Sequence, residues 1–312
     1  AGGTITTGND NIAIGNDAMH GGTTTGDSNI AIGVSAGDAL TGASGAVYIG
    51  KNAGGAATNP GGWGGVIIGH EAGAAIVNAE IVAIGRKAGY QLGGIGYGDF
   101  STIIGTRAGE TLGQSAGYVT LLGHNAGGDL TVASGSTLIG AGAGGTGTTG
   151  NRNVAIGYYP MHGGVTTGDQ NIAIGSNTLD AVTSGYNNIA IGKAAAGSLT
   201  TGHDNIILST NTGRSGTSLG ATTGAYNVGI GYETLVALTD GNSNVAIGTQ
   251  AGMRAAGADN NIIIGYQAGI QISSGGSNII IGYRAADAAN MSNNTAIGYE
   301  SLTASDGTGM NL

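Results

Sequence analysis

The sequence predicts an all-β protein, a parallel β-solenoid of about 17 coils, on three observations. A pentad of the form Asn-Ile-Ala-Ile-Gly recurs from one end to the other, its aliphatic residues alternate with period two, and Gly supplies 67 of 312 residues. Glycine in a helix interior costs about 0.8–1.0 kcal/mol relative to Ala, and no window long enough for a helix is free of it. Period-two alternation is the strand signal, since successive side chains of a strand point to opposite faces.

The pentads close at Gly15, Gly33, Gly50, Gly69, Gly85, Gly105, Gly123, Gly140, Gly157, Gly175, Gly192, Gly231, Gly248, Gly265, Gly282 and Gly298, with Ser209 taking the place once. Gly15 to Gly298 is 283 residues over 16 steps, a mean near 17.7, and the longest step, 22, separates Ser209 from Gly231. Insertions of that kind map to loops. Each pentad predicts a short strand, and the small pair three to four residues later, as in Ala36-Gly37, Ala53-Gly54, Ala108-Gly109 and Ala251-Gly252, predicts a narrow corner. A Thr/Gly/Asp/Asn loop such as Thr23-Thr24-Thr25-Gly26-Asp27 then returns the chain to the next strand. A strand–helix–strand crossover needs about 30 residues or more, so the spacing fits solenoid coils instead.

Stacked coils pair their strands at about 4.7–4.9 Å, which makes 17 coils a rod of about 80 Å. Asn stands at the strand entrance in 11 copies: Asn11, Asn29, Asn153, Asn171, Asn188, Asn205, Asn227, Asn244, Asn261, Asn278 and Asn294. Stacking sets these amides over one another as a ladder. The residue two before the Gly is Ala13, Ala31, Tyr48, Ile67, Ala83, Ile103, Leu121, Leu138, Ala155, Ala173, Ala190, Ile207, Gly229, Ala246, Ile263, Ile280 or Ala296. We read this column as pointing away from the coil's own core, where its lack of polar residues predicts burial against other subunits. The alternative cover, the chain's own loops, reads as too short and polar. An apolar stripe of this length exceeds what a monomer exposes, and closed rotational symmetry is the usual way to bury it. The whole chain, 1–312, reads as one repeat domain, with variant middle coils over 46–140 where the Asn position holds Ala46, Gly65, Ile81, Ser101, Val119 or Ser136 and the loops carry Trp63, Tyr97 and Phe100.

Composition narrows the function. A net charge of −9 excludes the basic patches that nucleic acid and anionic membrane surfaces require. Zero Cys removes disulfides, thiolate metal sites and thiol nucleophiles. No apolar run approaches the roughly 18 residues of a membrane span. The pentads reach almost to both termini, which predicts either excision from a longer fibre protein or end-to-end stacking by strand pairing.

Asn171-Ile172-Ala173-Ile174-Gly175, Asn244-Val245-Ala246-Ile247-Gly248 and Asn294-Thr295-Ala296-Ile297-Gly298 resemble the YadA-type head repeat of trimeric autotransporter adhesins, and similar repeats occur in phage tail fibres. The likeness runs from about Asn9 to Leu302. The resemblance implies a homotrimer of left-handed parallel β-rolls displayed outside the cell, on a cell surface or a virion tail fibre, and used for attachment to a host surface or glycan receptor.

Motifs for chemistry reduce to the repeat. Gly33-Val34-Ser35-Ala36-Gly37 and Gly113-Gln114-Ser115-Ala116-Gly117 match the nucleophile elbow G-x-S-x-G, but neither precedes a helix. Gly140-Ala141-Gly142-Ala143-Gly144-Gly145 lacks the helix of a dinucleotide fingerprint, and His70-Glu71 has Ala74 where a zinc motif needs its second His. His20, His70, His124, His162 and His203 read as surface residues, and Gly26-Asp27 and Gly168-Asp169 lack the calcium nonapeptide. Asn290-Met291-Ser292 and Asn293-Asn294-Thr295 match the glycosylation acceptor, a chance match at this Asn and Thr content. Thr falls in irregular loops rather than the flat array an ice- or glycan-binding solenoid requires. The expectation is a non-enzymatic structural and attachment protein with no cofactor and no metal, partnered by copies of itself; the alternative is an extracellular filament subunit stacking end to end.

Overall fold

The computed structural model describes residues 2–3, 5–58, 64–76, 80–91, 100–113, 117–145, 149–210, 223–286 and 292–303. It is an all-β parallel solenoid, with no helix among the described residues. The chain divides into two compact units, Ala1–Ile156 and Gly157–Leu312.

The first unit holds nine strands: β1 (Ile12–Ile14), β2 (Ile30–Ile32), β3 (Val47–Ile49), β4 (Val66–Ile68), β5 (Val82–Ile84), β6 (Thr102–Ile104), β7 (Thr120–Leu122), β8 (Thr137–Ile139) and β9 (Val154–Ile156). The second holds eight: β10 (Ile172–Ile174), β11 (Ile189–Ile191), β12 (Ile206–Leu208), β13 (Val228–Ile230), β14 (Val245–Ile247), β15 (Ile262–Ile264), β16 (Ile279–Ile281) and β17 (Thr295–Ile297). Each strand is the three residues before the closing Gly or Ser209. Within each unit successive strands pair in parallel and in register, so Ala13 lies on Ala31 and Ala246 on Ile263. The 22-residue step is absorbed without a slip: Ile207 still pairs with Gly229.

The ladder continues around the corner. Gly33 N–H donates to Ile14 O at 2.7 Å, Ser35 N–H to Asn16 O at 2.9 Å and Gly37 N–H to Ala53 O at 2.9 Å, which satisfies backbone that a short strand alone leaves open. The corner also dictates its first residue. The closing glycines adopt φ between 126° and 144°, and a Cβ added at Gly175 would lie 2.6 Å from the carbonyl oxygen of Gly192 in the next coil. Gly fits both the backbone angle and the close approach, while Ser209, in the one coil without Gly, does not adopt a positive φ.

The interior corrects the sequence reading. The middle residue of each strand points into its own coil: Ala31, Tyr48, Ile67, Ala83, Ile103, Leu121, Leu138, Ala155, Ala173, Ala190, Ile207, Ala246, Ile263, Ile280 and Ala296 are all buried within the single chain, and Ala13 is half-buried. None of the buried ones is available to another subunit, and the two flanking residues face outward instead. A three-residue strand has one inner and two outer side chains, so apolar character at all three positions leaves the inner face unmarked in the alternation.

Volume compensation inside the coil identifies it. Where the middle residue is large, the position six later is small, usually Gly: Ile67 with Gly73, Ile103 with Gly109, Leu121 with Gly127, Ile263 with Gly269, and Ile280 with Ala286. Where the middle residue is Ala or Gly, that position is often large and buried: Ala155 with Met161, Ala173 with Leu179, Gly229 with Leu235. Close-packed interiors keep two large side chains from occupying both positions, though Ala31 with Gly37 and Ala246 with Gly252 are small at both. Tyr48 shows its tightness, since a Cβ on Gly54 would stand 3.0 Å from its ring and one on Gly37 2.7 Å.

Candidate functional surface

Turning the middle column inward leaves two outward columns, one on each side of it, and both are apolar. The first runs through Ile12, Ile30, Val47 and Val66 in the first unit and Ile172, Ile189, Ile206, Val228, Val245, Ile262 and Ile279 in the second, with Thr at 102, 120, 137 and 295. The second column is Ile or Leu in every coil, from Ile14 to Ile297. These side chains are half-buried or exposed: Ile262 is 40 % exposed while its neighbour Ile263 is 0 %. Cross-strand packing along each column hides part of every side chain, and the rest forms a continuous aliphatic surface on each unit. Surfaces of this size mark interaction sites on soluble proteins.

Beside the strands runs the Asn ladder, complete in the second unit from Asn171 to Asn294. Each amide does three things. In Asn188, Nδ2 donates to Asn171 Oδ1 at 3.0 Å and to Gly202 O at 2.9 Å, and Oδ1 accepts the backbone N–H of Asn205 at 3.1 Å. The same pattern joins Asn227, Asn244, Asn261 and Asn278, all fully or almost fully buried. Buried amides are tolerated because every donor finds an acceptor. In the first unit Asn29 accepts the N–H of Ala46, while Ser101 and Ser136 replace Asn and accept the N–H of Val119 and Asn153 through Oγ at 3.2 and 3.1 Å. Ser therefore keeps one of the three functions.

The corner and loop columns carry the polar and aromatic chemistry. In the first unit Glu110 accepts from Lys87 at 3.1 Å and from Arg107 at 2.8 Å, and Lys87 also lies 5.0 Å from the Tyr90 ring. Phe100 stacks on Tyr118 at 5.9 Å. In the second unit Tyr186 stacks flat on His203 at 4.7 Å, with Tyr226 edge-on at 5.2 Å. Asp204 joins this group through His203 Nδ1 at 2.8 Å and Asn187 Nδ2 at 3.1 Å; these two hydrogen bonds hold its carboxyl below the usual carboxylate range. At the residue after the closing Gly, Tyr266, Tyr283 and Tyr299 stack in three successive coils, 5.2 Å apart and 11° and 5° from parallel.

No model of a protein family, no curated protein and no solved structure matches this chain. Its own geometry is therefore what bears on function. Ser35 of the first G-x-S-x-G sits half-buried with φ 54°, its N–H bonded to Asn16 O, as one more corner residue. Ser115 of the second lies outside the described residues, as do Trp63, Tyr97, Asn290 and Met291. Among the described residues no three His, Cys, Asp or Glu side chains gather as a metal site. Asp27 Oδ1 accepts from both nitrogens of Asn9, at 2.7 and 3.3 Å, which ties that Gly-Asp loop to the preceding turn. His162 packs edge-on against Tyr159 at 4.5 Å and His203 against two tyrosines, so these two histidines belong to aromatic clusters.

Proposed function

We propose that this chain is a non-enzymatic extracellular attachment protein whose copies associate, three together, through the two outward aliphatic columns. The observation that carries the proposal is the pair of columns itself: 13 of the 17 strands add an Ile, Leu or Val on each side of their inward residue, and the other four carry Thr on one side only. A single chain leaves that surface in water, where each Å² removed on association contributes about 25 cal/mol. A closed ring of copies buries it on every subunit at once. The resemblance of the pentads to adhesin head and tail-fibre repeats points to the same arrangement and to display outside the cell. Loops and corners, which carry the tyrosines and charges, remain outside, and a receptor such as a surface glycan binds through many weak loop contacts multiplied by avidity.

Sedimentation equilibrium tests the association. The chain mass of 30.0 kDa gives a trimer of about 90 kDa. Ile262→Asp with Ile279→Asp places charges on an outward column and is expected to yield folded 30.0 kDa monomers. Ile263→Asp buries a charge inside the coil and is expected to unfold it. A native mass of 30.0 kDa would sink the trimer, and species that lengthen without limit would favour the end-to-end filament in its place.

A further inference from the structure

The chain has 12 Tyr, one Phe and no Cys, so it carries many oxidisable phenols and no means of forming a disulfide. In the second unit Tyr158, Tyr232, Tyr266, Tyr283 and Tyr299 follow a closing Gly, and the last three do so in consecutive coils. Parallel in-register pairing sets Ile264 on Ile281 and Ile281 on Ile297, which places the residues two positions on, Tyr266, Tyr283 and Tyr299, at equal heights in consecutive coils. Their rings lie 5.2 Å apart and almost parallel, and they are 44 %, 44 % and 73 % exposed. Exposure admits an oxidant and register holds each pair in contact.

We propose that Tyr283 is a site of oxidative dityrosine cross-linking to Tyr266 or Tyr299, a covalent staple between adjacent coils formed by a peroxide and a one-electron peroxidase-type catalyst. Each of two phenols gives up one hydrogen atom, the two tyrosyl radicals couple through ring carbons ortho to the hydroxyls, and both rings regain aromaticity. The linked pair has lost two hydrogen atoms, and one hydrogen peroxide accepts them to become two waters. Coupling needs only a ring slip of a few ångströms in side chains already exposed, while the backbones are held by the coil ladder, as in Arg284 N–H to Tyr266 O at 2.9 Å and Glu300 N–H to Tyr283 O at 2.9 Å.

Among the described residues, the other ring contacts lack this arrangement. Tyr48 is fully buried, the stacking partner of Tyr118 is Phe100, and Tyr186 stacks on a histidine. Tyr158 and Tyr159 are sequence neighbours with perpendicular rings at 4.4 Å, so a bond between them would join no two coils.

The test is treatment of the native chain with horseradish peroxidase and hydrogen peroxide, followed by dityrosine fluorescence and tryptic mapping. Trypsin cuts after Arg254 and Arg284, so a Tyr266–Tyr283 bond appears as a loss of two hydrogens within one peptide and a Tyr283–Tyr299 bond as two peptides joined. Tyr283→Phe keeps the ring and the stack and is expected to remove at least three quarters of the fluorescence, whereas Tyr118→Phe leaves it unchanged. Oxidised wild type should melt higher than oxidised Tyr283→Phe, while the two untreated proteins melt alike. Cross-links spread over Tyr158, Tyr186 and Tyr226, links found mainly between different chains, or full yield in Tyr283→Phe would overturn the assignment.

Discussion

Asn244 offers a direct measure of what the amide ladder contributes. Its Oδ1 accepts the backbone N–H of Asn261 at 3.1 Å and the Asn261 amide at 2.9 Å, and its Nδ2 donates to Asn227 Oδ1 at 3.0 Å and to Ala258 O at 2.5 Å. Asn244→Ala removes all four bonds. Asn227 Oδ1 still accepts the backbone N–H of residue 244, and the Asn261 amide still donates to Gly275 O. Two buried groups, the N–H of Asn261 and the carbonyl of Ala258, lose these partners without gaining water. At about 1–3 kcal/mol for each of the two buried polar groups left unsatisfied, the expected loss is about 2–6 kcal/mol. Asn244→Ser keeps an acceptor at the same place, as Ser101 and Ser136 do for the coils that follow them, so about half of that loss is expected. Urea denaturation supplies the magnitudes. Amide hydrogen exchange supplies the location: protection of the Asn261 N–H should collapse in Asn244→Ala and persist in Asn244→Ser. A loss below 1 kcal/mol in Asn244→Ala, or equal losses in the two variants, would show that the ladder is not what holds this side of the coil.

Tyr48 has a buried hydroxyl with no hydrogen-bond partner, and burial pushes its pKa from 10.0 up to about 12. Because the folded state disfavours the phenolate, the fold keeps its full stability below pH 10 and loses it as pH rises from 10 towards 12, at about 1.36 kcal/mol per pH unit. Tyr48→Phe should abolish that alkaline limb and stabilise the protein at neutral pH by about 1–2 kcal/mol, both read by denaturation as a function of pH; a destabilised variant would contradict the orphaned hydroxyl. Gly175→Ala should cost more than about 3 kcal/mol in thermal or urea denaturation, because its Cβ meets the Gly192 carbonyl at 2.6 Å with φ at 139°. Gly45→Ala, with φ at 73° and nothing within 4 Å of the added carbon, should cost only the left-handed backbone term of about 1–2 kcal/mol. Nuclear magnetic resonance should find the Asp204 carboxyl titrating below its ordinary 3.8, and His203→Ala should raise it, since the His203 hydrogen bond is the largest cause of the depression.

The strands were legible because each contains its own period-two signal and all but one are followed by a Gly at the corner, Ser209 being the exception, and all 17 begin and end where the pentads place them. The ladder was legible for a similar reason, since Asn at one fixed position in coil after coil has no purpose in isolation and an obvious one when stacked. The direction of the strands' side chains was not. With Ile262-Ile263-Ile264 or Ile279-Ile280-Ile281, polarity says nothing about which face is inside, and the expectation that Ala13, Ala31, Ala173 and their column meet other subunits came from counting two residues as the core and one as the surface. The true signal lay six residues away, in the exchange of Ile263 and Gly269 for Gly229 and Leu235, a correlation between positions rather than a property of either. The Tyr266–Tyr283–Tyr299 stack was missed on similar grounds, because only the register of the coils brings those rings together.

Reversing the faces alters what the surface can do. With one residue of each strand inside and two outside, most of them aliphatic, the strand faces offer almost nothing a polar ligand can recognise, which suits the proposed association between copies. Polar groups are concentrated instead in the corners and loops, where Glu110 with its two cations, the Tyr186–His203–Asp204 group and the tyrosine column stand, so the proposed receptor contacts would come from there. Substitutions should therefore separate cleanly. Changes at Ile262 or Ile279 act on assembly while leaving each coil intact, changes at Ile263 act on folding, and changes at Tyr186 or Asp204 act on neither. A loop variant that dissociates the assembly, or an outward-column variant that unfolds the isolated chain, would mean that the strand faces and the loops do not divide these tasks.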